Sequence, residues 1–237
     1  MVNKLNTSDS VRGLGDHAAA VARSRLGGGV PLRRMTMTLQ SWWPSAVLML
    51  CPAMLAAQVT VPPELEHLQT PQLTERPPES MLVVEAGGDP RVVGGTAFGL
   101  LFQLYYQMPE TVKGPAQPAP RARWPVALAQ PRSEWIGHYA LPVPETVRAL
   151  PAHTAPDGVR ASLTIWEYGT VVEVLHIGPY EREAPTVQRL RDFVEARGYV
   201  LATEHEEEYI QGPTMTGPRD PTQYLTILRY RVTKVLR

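Results

Sequence analysis

The chain reads as an α+β protein in which a strand, helix, strand, strand unit occurs twice around one antiparallel sheet. Three observations predict this. Short β-prone runs alternate with two stretches of helical apolar spacing. Glycine and proline punctuate both halves in the same order, and the second half restates the first with stronger signals.

Met81-Leu82-Val83-Val84-Glu85 is the first β-prone run, and Gly87-Gly88-Asp89-Pro90 ends it as a turn. From Thr96 to Met108, the residues Ala97, Leu100, Leu101, Leu104 and Tyr105 recur at helical spacing, so one face of a helix packs on the sheet. The rings of Phe102, Tyr105 and Tyr106 are read first as core rather than as a cofactor box. Six prolines between Met108 and Arg132 enforce irregular backbone, and the run from Glu134 to Leu141 is the next strand, with Trp124 just ahead of it.

In the second half, Ala161 to Tyr168 and Thr170 to Ile177 are two β-rich runs parted by Gly169, and Gly178-Pro179-Tyr180 closes the second. Pro185 sits in the first turn of a helix whose buried stripe is Val187, Leu190, Phe193 and Val194, ended by Gly198. Tyr199 to Ile210 and Thr222 to Val232 are the last strands. The folded domain is therefore expected over residues 80–237, with repeats at 80–145 and 160–232.

The preceding residues read differently. Residues 1–34 are rich in Gly, Ser, Ala and Arg without apolar periodicity, the pattern of a disordered leader or of a start placed too early. Arg33-Arg34, a short apolar stretch from Trp42 and a small-residue end at Ala56-Ala57 have the layout of a secretory signal peptide over 35–57. That stretch is shorter than a spanning helix needs. The expected location is periplasmic or secreted, and cytoplasmic if the segment is no signal. Residues 58–79, with five prolines among polar side chains, are expected as an extended linker.

Composition excludes several classes. Lys+Arg and Asp+Glu both total 23, which gives no electrostatic case for nucleic acid or an anionic membrane surface. The single Cys51 rules out an internal disulfide and a Cys-X-X-Cys redox pair. No metal-ligand spacing, nucleophile elbow or phosphate loop is present, so no metal and no cofactor are expected. Proline, at 24 residues, is about twice its usual share.

Strand alternation places His205, Glu207 and Tyr209 on one face and Glu204, Glu206 and Glu208 on the other. Only one glutamate of the run is then aimed with Tyr209. His176 alternates with Val172 and Val174 and is expected as a satisfied core histidine. Arg229 is expected to pair with a carboxylate such as Glu173 or Glu207.

Several motifs together resemble the GyrI-like small-molecule-binding domain family, which includes gyrase inhibitors and the effector domains of multidrug-responsive regulators. In the second repeat they are Val172-Glu173-Val174-Leu175-His176-Ile177-Gly178-Pro179-Tyr180, Pro185-Thr186-Val187, Gly198-Tyr199, Glu207-Glu208-Tyr209 and the run from Thr226 to Val232. In the first they are Asp89-Pro90, Leu104-Tyr105, Arg123-Trp124-Pro125 and Glu134-Trp135. The resemblance implies a ligand cleft between the repeats, with two helices on one side of the sheet, an acid at its floor and aromatic walls. Glu207 becomes that acid, and Tyr209, Trp124, Trp135, Tyr180, Trp166 and Tyr105 become ligand-binding walls. Relatives carry two histidines before the acid, whereas this chain has His205-Glu206.

Three functions follow from the resemblance. The first is an exported protein that captures an amphipathic or cationic aromatic small molecule. The second is a hydrolase of reactive, cyclopropane-bearing alkylators, with Glu207 and Tyr209 as catalytic groups. The third is a protein-interaction module of the gyrase-inhibitor type. A carboxylate among aromatics is expected to have a raised pKa unless a cation compensates it.

Overall fold

A computed structural model describes residues 59–125, 130–213 and 219–235. The leader and signal-peptide expectations fall on residues 1–57, outside the described residues. Eight strands form one antiparallel sheet: β1 (Gln72–Arg76), β2 (Glu79–Gly87), β3 (Arg121–Trp124), β4 (Ile136–Pro142), β5 (Val159–Trp166), β6 (Gly169–Ile177), β7 (Tyr199–Gln211) and β8 (Leu225–Lys234). Their spatial order is β1-β6-β8-β7-β3-β4-β2-β5. Two helices, α1 (Pro90–Gln107) and α2 (Ala184–Glu195), cover one face.

That order is the duplication made visible. Exchanging β1–β4 with β5–β8 reverses the list onto itself, so the repeats meet where β3 pairs with β7. Both repeats leave their second strand through a glycine in the left-handed region, Gly88 at φ 122° and Gly178 at φ 127°. The amides of Gly88 and Gly178 donate to Trp135 O and Tyr224 O, at 2.8 and 3.0 Å. These paired contacts set the correspondence, and the ladder registers carry it inward: Trp124 answers Tyr209, and Ala122 answers Glu207. The acid therefore belongs to one repeat only, although the two repeats build the place where it sits.

Residues expected as a linker contribute structure instead. Pro63–Gln69 form a 3-10 helix whose Leu68 packs on Leu175, Leu225 and Ile227, and β1 pairs with β6 at the sheet edge. Each repeat thus has an additional leading strand that lies against the other repeat, β1 on β6 and β5 on β2. The Gln-Leu-Thr-Glu-Arg sequence of β1 offers only one apolar residue, so hydrophobic alternation is silent there. Its order comes from ladder hydrogen bonds supplied by a distant strand.

Two further corrections have similar causes. α1 begins six residues before the predicted Thr96, because Asp89 caps it: the carboxylate accepts from Arg91 N at 3.0 Å and Pro90 occupies the first turn. Gly94 and Gly95, in the next turn, weaken the propensity signal ahead of Thr96. β3 is a separate strand inside the proline-rich stretch, while Glu134 belongs to a 3-10 helix ahead of β4.

The core beneath α1 joins Ala97, Leu100, Leu101, Leu104 and Tyr105 to Leu82, Val84, Ala86, Tyr139 and Leu141. Beneath α2, Leu190 and Val194 meet Val172, Val174, Leu228 and Tyr230. No described helix is long and apolar enough to cross a membrane.

Candidate functional site

The helices stand over opposite ends of the sheet and leave a cleft of about 1900 Å³ between them, floored by β3 and β7. One wall is the second stripe of α1. Phe98, Phe102 and Tyr106 recur every fourth residue, with successive ring centroids 6.3 Å apart. Trp124, Trp135 and Tyr139 continue that wall, and Tyr180, Tyr209 and Tyr230 bound the other side. Phe98 lies edge-on to both Tyr139 and Tyr209, at 4.9 and 5.8 Å, and Tyr209 is edge-on to Tyr180 at 5.5 Å. Close approach of Trp124 depends on Gly137, where a Cβ would lie 2.8 Å from the indole and 2.7 Å from the Tyr139 ring.

Glu207 lies at the floor. Its Oε1 accepts from Trp124 Nε1 at 2.8 Å and from His205 Nε2 at 3.1 Å, and its Oε2 accepts from the Tyr209 hydroxyl at 2.7 Å. The donors Trp124 and Tyr209 are the corresponding residues of the two repeats, so the pseudo-symmetry delivers one bond from each side. Burial pushes the Glu207 carboxyl upward, but the hydrogen bond and charge of His205, with Tyr209 and Trp124, outweigh it and hold the group below its ordinary value. The cation allowed for in the sequence reading is thus present, as His205.

A second acid completes the group. Glu183, at the N-terminus of α2, is buried, and its Oε2 lies 3.6 Å from His205 Nε2. Burial, then the Glu207 charge, raises its carboxyl to about 7 against the pull of His205. For His205, burial disfavours the imidazolium, but Glu183 and Glu207 prevail and raise it to about 9. Two buried polar atoms at this floor, Glu183 Oε1 and His205 Nδ1, have no hydrogen-bond partner among the described residues, nor does the Tyr139 hydroxyl in the wall.

The ligating atoms of Glu183, His205 and Glu207 lie within 4.8 Å of one another, close enough to surround a cation. The surrounding bonds suit a proton-sharing cluster better. Both Glu207 oxygens are engaged by Trp124, His205 and Tyr209, and His205 Nδ1 lacks the carboxylate or carbonyl acceptor that orients a metal-bound imidazole.

The sequence-predicted residues divide cleanly. Glu207, Tyr209, Trp124, Trp135 and Tyr180 are brought together around the cleft. Trp166 is not, because it faces the opposite side of the sheet, where the Arg123 guanidinium stacks 3.9 Å from its ring. Tyr105 is not, because it shares the core stripe of α1 and donates to Val112 O at 2.9 Å; its neighbour Tyr106 faces the cleft. The reading of Tyr106 as core is corrected likewise, while Phe102 packs against the core and also lines the cleft. Glu183 was missed, since the end of a loop before a helix carries no periodicity. A glutamate immediately before Ala184-Pro185 was the available signal.

The other glutamates of β7 serve the opposite face. Arg229, 2% exposed in its side chain, bonds Glu173 at 2.5 Å, Glu208 at 2.9 Å and also Glu206. Glu206 accepts from Arg123 at 2.7 Å, and Arg121 reaches Glu79 and the Tyr168 hydroxyl. Arg229 therefore pairs with Glu173 as expected and not with Glu207. His176 is a core histidine: Nδ1 lies 3.0 Å from Thr186 Oγ1, Nε2 3.2 Å from Pro179 O, and burial lowers its pKa.

No family model and no curated protein matches the chain. Among solved structures, it is similar to an uncharacterized conserved protein from Listeria innocua, with 21% identity over 70% of this chain and 93% of that one, at a TM-score of 0.56. It is also similar to a hydrolase from Listeria innocua at 20% identity, covering 70% and 92% of the two chains with a TM-score of 0.53. A further Listeria innocua hydrolase gives 22% identity, 70% and 92% coverage, and a TM-score of 0.51. Likeness at this level establishes a shared α+β fold, the fold class expected from the sequence.

Proposed function

We propose that this protein binds an amphipathic, cationic aromatic small molecule in the cleft between its repeats. One observation carries the reading: buried polar atoms without protein partners, Glu183 Oε1 and the Tyr139 hydroxyl, belong to residues lining a single aromatic cleft. An orphaned buried acceptor costs about 1–3 kcal/mol, a cost that a donor or cation from a ligand removes. The aromatic walls supply stacking and cation–π contact for the rest of such a molecule. With Glu207 ionised and His205 protonated, that pair is neutral, so an ionised Glu183 leaves one net negative charge for the ligand. Export, suggested by the apolar segment at 35–57, is part of the proposal, and sequencing the mature N-terminus tests it.

Titration with a panel of cationic aromatics tests the binding reading. Glu207→Gln is expected to weaken binding about tenfold or more, equivalent to about 1.4 kcal/mol, while Trp166→Phe, on the opposite face, leaves it unchanged. Equal affinity in wild type and Glu207→Gln would refute it.

A hydrolytic reading is favoured by one feature, a buried carboxyl near neutrality that can accept a proton from water. In that reading the base is Glu183, because Glu207 is held as a weakly basic carboxylate. Turnover of a reactive electrophile that survives Glu183→Gln would exclude it.

A further inference from the structure

Two acids share one imidazole at the floor of the cleft, and they share it unequally. Glu207 holds three donors, whereas Glu183 has a single long contact to His205 and an Oε1 with no donor at all. Glu183 also occupies the N-cap position of α2 yet makes no side-chain capping bond. Its carboxyl is therefore not engaged by the helix amides. It belongs instead to the lining of the cleft.

The groups facing it leave it without a cation of its own. From β7 come His205, Glu207 and Tyr209; from the 3-10 helix Tyr180–Arg182 come Tyr180 and Glu181; from β8 comes Tyr230. Four arginines, Arg91, Arg132, Arg191 and Arg219, line the same cleft; Arg91 pairs with Asp89, and among the described residues none of the four forms an ion pair with Glu183. Two carboxylates buried beside one imidazolium cannot both remain ionised without cost, and the less hydrogen-bonded of them, Glu183, keeps a proton.

We propose that the cleft takes up its cation in exchange for the proton of Glu183. The carboxyl O–H bond breaks, its electron pair stays on the carboxylate, the proton leaves to solvent, and a quaternary or primary ammonium group takes its place beside Oε1. Net charge in the floor is conserved across the exchange, so no unpaired charge is buried at either stage. This rests on the small-molecule-binding reading and adds to it a class of ligand, the organic ammonium ions, and a control, the pH. Below the pH at which Glu183 ionises in the empty cleft, affinity falls about tenfold for each unit of acidification, and between that pH and the deprotonation of His205 near 9 affinity is flat. The ionisation of Glu183 near 7 puts that bend close to neutrality.

Calorimetry on the full chain tests the exchange with two isosteric probes, para-(trimethylammonio)benzyl alcohol, which is permanently charged, and para-tert-butylbenzyl alcohol, which is neutral. Each is titrated at about pH 5.5 and about pH 8.5 in buffers of different ionisation enthalpy, which counts protons released. The expected result is release of about one proton per cation at the lower pH and about none at the higher, with a gain in affinity of at least about tenfold between them. The neutral probe is expected to show neither effect. In Glu183→Gln the pH dependence of cation binding is expected to vanish; if that variant does not fold, the two-buffer comparison on the wild type decides alone. Cation binding without proton release overturns the exchange and leaves the binding reading standing. Failure of both probes to bind at either pH overturns both.

Discussion

Replacing Arg229 by Met tests the division of β7 into two chemically different faces. The guanidinium is 2% exposed and serves Glu173, Glu206 and Glu208, while Met of similar length removes the charge without opening a large void. Removing one partner of a buried ion pair costs about 3–5 kcal/mol, because the remaining charge stays buried. For a domain of this size that corresponds to a fall in Tm of roughly 6–20 °C, at about 2–4 °C per kcal/mol. Burial pushes the Glu206 carboxyl up, and in the wild type Arg229, Arg123 and Arg121 outweigh it and hold it low. In the variant the burial effect gains ground, so the folded pKa rises toward or above the unfolded value. The folded state then binds more protons than before, and the penalty is largest near pH 8 and shrinks toward about pH 5. Urea unfolding at the two pH values measures this, with cation binding measured in parallel. A loss below about 1 kcal/mol, an equal loss at both pH values, or a parallel loss of binding would refute the assignment of Arg229 to a network apart from the cleft.

Gly137→Ala is expected to destabilise the fold by about 1–3 kcal/mol through overpacking, since the new methyl would lie within 3 Å of Trp124 and Tyr139. The displaced indole should also weaken cation binding, and thermal melts with binding titrations check both effects. The pH dependence of stability follows from the floor cluster. His205 is raised from 6.5 to about 9, so its contribution is complete below the unfolded value and is lost as pH rises through about 9. Glu183 is raised from 4.5 to about 7, so the folded state holds an additional proton in that interval and stability falls as pH rises through it as well. Urea titrations from about pH 5 to about pH 10 should therefore show declining stability in the wild type, with the upper part of the decline absent in His205→Gln. A wild-type profile that rises over this range would contradict the cluster.

Strong local periodicity made much of the fold legible in the sequence. The strand at Met81, the helical stripes at Ala97 to Tyr105 and Val187 to Val194, and the β-prone runs of the second repeat all bury an apolar face, and burial leaves a period behind it. Where order comes from elsewhere, that trace is missing. β1 and β3 are short and polar or mixed, and each is held by ladder bonds to residues far along the chain. α1 starts early because a cap and a proline fix its first turn, ahead of two adjacent glycines in the second.

The same distinction separates what the sequence by itself determined about the site from what only the tertiary structure decided. Alternation along one strand was enough to select Glu207 from a run of neighbouring acids and to align it with His205 and Tyr209, because a strand's two faces are set by covalent geometry. It could not say which aromatics share that face from other elements. Trp166 and Tyr105 point away from the cleft, while Phe98, Phe102, Tyr106 and Tyr139 line it, because sheet register and the seating of α1 decide those directions. Nor could it find Glu183, whose role depends on the N-cap of α2 lying within 3.6 Å of a histidine on β7. The charge state of the floor is a property of three residues in contact, and contact between distant parts of the chain arises only when the two repeats close on each other.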